Sequence, residues 1–166
     1  MPAISGERSG AAADDDLKLI LADGLDPVVA ALCQHERDSL AAALARWGRF
    51  RRPVTVRTTV DRSVLHGAAG GSSSPLLCAL ATLDTVTLLA PGVWATPPPH
   101  RDLLQAVLHE LAHVLMFQRC APPSRDRAAP LPVWFREGMA AFVAEGPPSP
   151  NLRRRVAQHP DLAALA

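Results

Sequence analysis

Within the run His109-Glu110-Leu111-Ala112-His113, two imidazoles stand four residues apart and a carboxylate directly follows the first of them. On a helix, positions four apart lie one turn above the other on a single face, so both imidazoles can reach one zinc ion. Glu110 then sits about 100° around the helix from His109. That angle makes it an awkward ligand, yet leaves it near enough to take a proton from a water that the metal activates. The spacing thus implies the order ligand, base, ligand. In a chain of this size with 6 His, the pattern arises by chance on the order of once in a hundred sequences, so it needs support from elsewhere.

That support lies downstream, in Val133-Trp134-Phe135-Arg136-Glu137-Gly138-Met139-Ala140-Ala141-Phe142. Glu137 is a carboxylate with apolar residues on either side, and an acid buried in such surroundings is costly unless paired or bound to metal. It is the expected third ligand, offered from a second helix.

The two segments together resemble the gluzincin metallopeptidases, and in particular the compact bacterial peptidase MA-like families, in which a W-x-x-E-G-x-A segment supplies the glutamate ligand. Here that segment runs from Trp134 to Ala140. The resemblance implies zinc held by His109, His113 and Glu137, with Glu110 as catalytic base. It also implies a small mixed sheet above the active-site helix, whose edge strand pairs with an extended substrate peptide. By order of elements it covers residues 50 to 146, while the residue-level match is confined to the two helices. The class with a third histidine, H-E-x-x-H-x-x-G-x-x-H, is excluded because the decisive positions are Met116 and Arg119.

Many gluzincins stabilise the oxyanion with a Tyr or His beyond the ligand helix. This chain has 0 Tyr. His159 and Arg153-Arg154-Arg155 lie in the corresponding stretch and His100 just precedes the metal helix, although each also reads as a solvated surface residue. Asp102 and Glu145 are candidates for carboxylates that orient the ligand histidines. Trp134 and Phe142 read as core aromatics, and Gly138 as a point of close helix approach.

The elements that must position these groups follow from periodicity and breakers. The helix carrying the motif spans Arg101 or Asp102 to Gln118, with Leu103, Leu104, Val107, Leu108, Leu111, Val114 and Leu115 as its apolar face. A second helix spans Val133 to Glu145 and ends at Gly146-Pro147-Pro148. Upstream, Asp26 is a plausible N-cap with Pro27 at the first helical position, and apolar spacing to Trp47 predicts one helix ending near Gly48. Pro53 to Val60 alternates in β-branched residues and reads as a strand. Leu76 to Leu83 and Val86 to Ala90 form a hairpin or one bent strand after a Gly/Ser-rich loop over Gly67 to Ser74. Strand addition by substrate is plausible on Val86 to Ala90, which leads into the metal helix. Residues 121 to 132 form an irregular connection, and 151 to 166 an amphipathic segment interrupted at Pro160 that could act as a lid.

Composition bounds the class. At 166 residues, 48% hydrophobic and 20% charged, the chain suits one domain able to bury roughly two-thirds of its unfolded surface. Residues 1–25 are expected to be a flexible lead-in and residues 26–166 a single zincin-like domain. A net charge of +1 leaves no electrostatic footprint for nucleic acid or an anionic membrane. Cys33, Cys78 and Cys120 stand singly, which argues against a disulfide framework and for a reducing compartment. No secretory signal or membrane-length apolar run is visible.

The expectation is therefore an α+β fold, zincin-like, with a small mixed sheet packed on the H-E-x-x-H helix and the glutamate-ligand helix. It would be a cytoplasmic monomer that uses zinc to hydrolyse peptide or protein substrates. The alternative is a catalytically weak or inactive zinc-stabilised binding or regulatory module, favoured by the missing tyrosine and by a size that leaves little wall for a specificity cleft.

Overall fold

The computed structural model describes residues 17–68, 78–94, 100–120 and 131–147. Among these residues the fold is mixed α+β, with a four-stranded sheet and five α-helices. The strands are β1 (Leu19–Leu21), β2 (Val54–Thr59), β3 (Ala79–Ala81) and β4 (Thr85–Leu89). The helices are α1 (Pro27–His35), α2 (Arg37–Ala45), α3 (Arg62–Ala68), α4 (His100–Cys120) and α5 (Val133–Glu145).

Sheet order is β1-β2-β4-β3, with β1, β2 and β4 parallel and β3 antiparallel at one edge. Residues 79–81 and 85–89 thus form a hairpin, closed by Thr82 N–H donating to the Thr85 carbonyl at 2.8 Å. Val86, Thr87, Leu88 and Leu89 are all buried, as a strand with neighbours on both sides and covered faces requires. Val86 and Leu88 join the main core together with Val54 and Val56 of β2 and Leu103, Val107 and Leu111 of α4.

Two expectations about the N-terminal third change. The lead-in foreseen over residues 1–25 contains β1, which pairs Leu19 with Val54 and Leu21 with Val56, and Leu17 is buried in the core at 3% exposure. A three-residue strand has too few positions to show alternation, so periodicity could not reveal it. The single helix foreseen up to Gly48 is broken at Glu36, where the backbone adopts φ −98°, ψ 11°. Leu32, Leu40 and Leu44 are all buried, and one straight helix would need position 36 to face the core with them. Breaking the helix there spares a carboxylate that burial. The helix start is as expected: the Asp26 side chain accepts a hydrogen bond from Val28 N–H at 2.9 Å, with Pro27 in the first turn.

α3 was not foreseen, and it overlaps the start of the loop placed at Gly67. The remainder of that loop, most of the 121–132 connection and the 151–166 segment lie outside the described residues. The three cysteines are free, and burial pushes the Cys33 thiol up to about 11. No helix among the described residues is long and apolar enough to cross a membrane.

Candidate metal centre

α4 carries the H-E-x-x-H run in mid-helix. Leu103, Val107, Leu111 and Leu115 repeat every four residues and are all buried against the core, which fixes the rotation of the helix. With that face committed, His109, His113 and Glu137 of α5 come together. α5 is seated by Ala140 and Val143, which are buried, and by Phe142 edge-on to Trp47 with ring centroids 5.8 Å apart. Its end is set by Gly146, at φ 82°, whose N–H donates to the Phe142 carbonyl at 3.0 Å.

The convergence is close. His109 Nε2 and His113 Nε2 are 3.2 Å apart, and Glu137 Oε2 lies 3.5 Å from each. Tetrahedral coordination at ~2.0–2.1 Å places ligand atoms about 3.3–3.4 Å from one another, so this triangle has the dimensions of one face of a zinc site. The donor chemistry fits as well. Three Lewis-basic atoms at these separations repel unless a shared proton or a cation lies among them. Burial lowers the His113 pKa, with His109 and Arg136 acting in the same direction and Glu137 opposing. The neutral imidazole, which is the form that binds metal, is thereby favoured.

Glu110 is set apart from that triangle, as the spacing implied. It is buried at 9% exposure and lines the same cleft as His109 and Glu137. Burial, and then the charge of Glu137, pushes its carboxyl up to about 8. A carboxyl poised near neutrality suits a group that must accept and return a proton.

The cleft has a volume of about 380 Å³, within the usual range for ligand sites. One wall is α4, from Asp102 through Gln105 and Ala106 to His109. Ala144 and Glu145 of α5, with Cys78 and Ala79 at the start of β3, complete the lining. The sheet edge beside the metal centre is therefore β3. β4, where strand addition was placed, is flanked by β2 and β3 and has no free edge. Sequence order misled here because the strand nearer to α4 along the chain is the inner partner of the hairpin.

Other expectations change with the geometry. Glu137 is the ligand foreseen, but its side chain is 53% exposed, so it opens to the cleft and is not a buried acid. Trp134 is 75% exposed and is not a core aromatic. A Cβ on Gly138 would meet nothing within 4 Å, so this glycine marks no close helix approach. Asp102 and Glu145 line the cleft, but neither is hydrogen-bonded to a ligand histidine among the described residues. His100 opens α4 and is exposed, outside the cleft lining. His159 and Arg153 to Arg155 lie outside the described residues.

Two positioning features escaped the sequence reading. Phe117, one turn beyond His113, stacks on its ring at a centroid distance of 5.8 Å and 16° between planes, and the Arg136 guanidinium lies 5.9 Å from the Phe117 ring. Extending the four-residue spacing from His113 would have found it. His113 Nδ1 is buried with no hydrogen-bond partner among the described residues. Among the described residues, packing on Phe117 is what holds the orientation of this ring. No protein-family model, curated protein or solved structure matches this chain, so the functional reading rests on the site itself.

Proposed function

We infer that this protein is a zinc-dependent peptidase with a zincin-like arrangement of helices and sheet. The observation that carries the reading is the triangle of His109 Nε2, His113 Nε2 and Glu137 Oε2 with sides of 3.2, 3.5 and 3.5 Å, beside a buried carboxylate in an open cleft. His109, His113 and Glu137 would hold the ion. When bound, zinc supplies Lewis acidity toward the scissile carbonyl and lowers the pKa of water.

The chain's own groups do the rest. The peptide lies in extended form along the cleft, where β3 offers an edge that is unpaired among the described residues. Glu110 accepts a proton from the attacking water and delivers it to the leaving amine, so that one carboxyl serves as base and then as acid. Its raised pKa describes the metal-free site, and a nearby cation favours the ionised form that acts as base.

Glu110→Gln keeps the shape of the side chain and the three ligands while removing the proton acceptor. The variant should bind zinc as wild type does and lose nearly all cleavage of any peptide that the wild type hydrolyses. Full activity in this variant would sink the proposal.

A second reading is a zinc-stabilised binding module that turns over no peptide. The chain has 0 Tyr, and among the described residues lining the cleft there is no Lys or Arg that could meet an oxyanion. Chelator-sensitive, zinc-restored cleavage of a broad peptide library would count decisively against it.

A further inference from the structure

The cleft is electrically lopsided along its length. His109, Glu110 and Glu137 occupy one end. At the other, Asp102 from the first turn of α4 and Glu145 from the last turn of α5 face the same space. Both are exposed, and neither has an ion-pair or hydrogen-bond partner among the described residues. Glu110, nine-tenths buried, adds a third carboxylate that lines the cleft, with no hydrogen-bond partner among the described residues. A divalent ion at the triangle would offset Glu137 and Glu110, which leaves Asp102 and Glu145 as the uncompensated charges among the described residues of the cleft.

Distance fixes where a substrate would feel them. Asp102 precedes His109 by about 10 Å along α4, and Glu145 follows Glu137 by about 12 Å along α5, from the rise of a helix. An extended peptide covers that span in about three residues. Between the two ends lie Ala106 and Ala144, whose short side chains leave the passage open to a long one.

We propose that Asp102 and Glu145 select peptides carrying a lysine or arginine about three residues from the scissile bond. The spacing rests on the peptidase reading, whereas the charge preference requires only that peptides occupy the cleft. Two exposed carboxylates acting on one cation give a preference of about tenfold, weakened by salt.

The test uses the full chain, zinc-supplemented and carrying Glu110→Gln, with capped fluorescent octapeptides of Ala and Ser that hold one central Lys, norleucine or Glu. Anisotropy titration should show the Lys peptide bound about tenfold more tightly than the norleucine peptide and the Glu peptide bound most weakly. Adding Asp102→Asn and Glu145→Gln should equalise the three. Both positions are exposed, and an unchanged melting curve verifies the fold. Equal affinities in the parent, a Lys advantage that survives the double substitution, or no binding of any peptide overturns the proposal. Mass spectrometry of wild-type digests of the same peptides reads the spacing, with bonds cut about three residues from Lys expected. A Lys preference in binding without any cleavage supports selection by Asp102 and Glu145 while counting against hydrolysis.

Discussion

Burial and the charge of Glu137 hold the Glu110 carboxyl at about 8, against 4.5 for an unperturbed side chain. In the metal-free fold Glu110 therefore keeps its proton across a window in which the unfolded chain has already released it. The folded state binds more protons there, so its stability is fully present below pH 4.5 and declines as pH rises toward about 8. Melting curves of metal-free wild type and Glu110→Gln should diverge accordingly, with the wild type losing stability relative to the variant across that window. Taking the difference cancels His113, whose lowered pKa works in the opposite sense. A flat difference would contradict the assigned burial. Phe117→Ala should remove the ring on which His113 stacks and weaken zinc binding by about tenfold without abolishing it, as read by competition with a chromophoric chelator. Unchanged affinity would mean that the backbone of α4 alone orients His113.

At the scale of elements, α4 is held by a contact that no local pattern announces. Gln118, 2% exposed, accepts hydrogen bonds from Arg51 N–H at 2.7 Å and Arg52 N–H at 3.0 Å, and its amide donates to the Arg52 carbonyl at 3.3 Å. It ties the last turn of α4 to the chain entering β2. Gly48, at φ +131°, lets that chain turn after α2, and a Cβ there would come within 3.2 Å of the Arg119 guanidinium. Gln118→Leu should cost about 2 kcal/mol in urea unfolding, because two backbone N–H groups lose their acceptor. Zinc content should be unchanged, since the candidate ligands His109 and His113 lie more than one turn away. The helices α4 and α5 were legible because their signals are local: four-residue spacing, a Gly-Pro stop and a ligand motif. β1 and the break at Glu36 were not, because each is decided by a distant partner, β2 in one case and the shared core in the other. The same reason governs Trp134 and Glu137, whose apolar neighbours in sequence are not their neighbours in space.

At the scale of the molecule, the order β1-β2-β4-β3 places a short antiparallel edge strand beside the cleft that His109, Glu110 and Glu137 line. Spacing singled out His109, Glu110 and His113, and the apolar run around Glu137 singled out the fourth candidate, but neither signal could say which strand would border them. A hairpin can turn either strand outward, and only the pairing of β2 with β4 decides it. The three candidate ligands sit on two helices separated by a connection, so an ion bound among them would tie α4 to α5 and stabilise the folded chain over the unfolded one. Zinc should raise the melting temperature with a dependence on free metal that follows mass action. His113→Ala should abolish that rise, and a wild-type melting temperature indifferent to zinc would weigh against a site formed by both helices.

The most direct test of the central claim is zinc content by mass spectrometry of protein purified without an affinity-tag metal, comparing wild type with Glu137→Ala. The convergence of His109, His113 and Glu137 predicts about one zinc per chain in the wild type, and its loss or marked weakening in the variant. No zinc in either protein, even after reconstitution with added metal, would contradict the account and reduce the three side chains to a polar cluster.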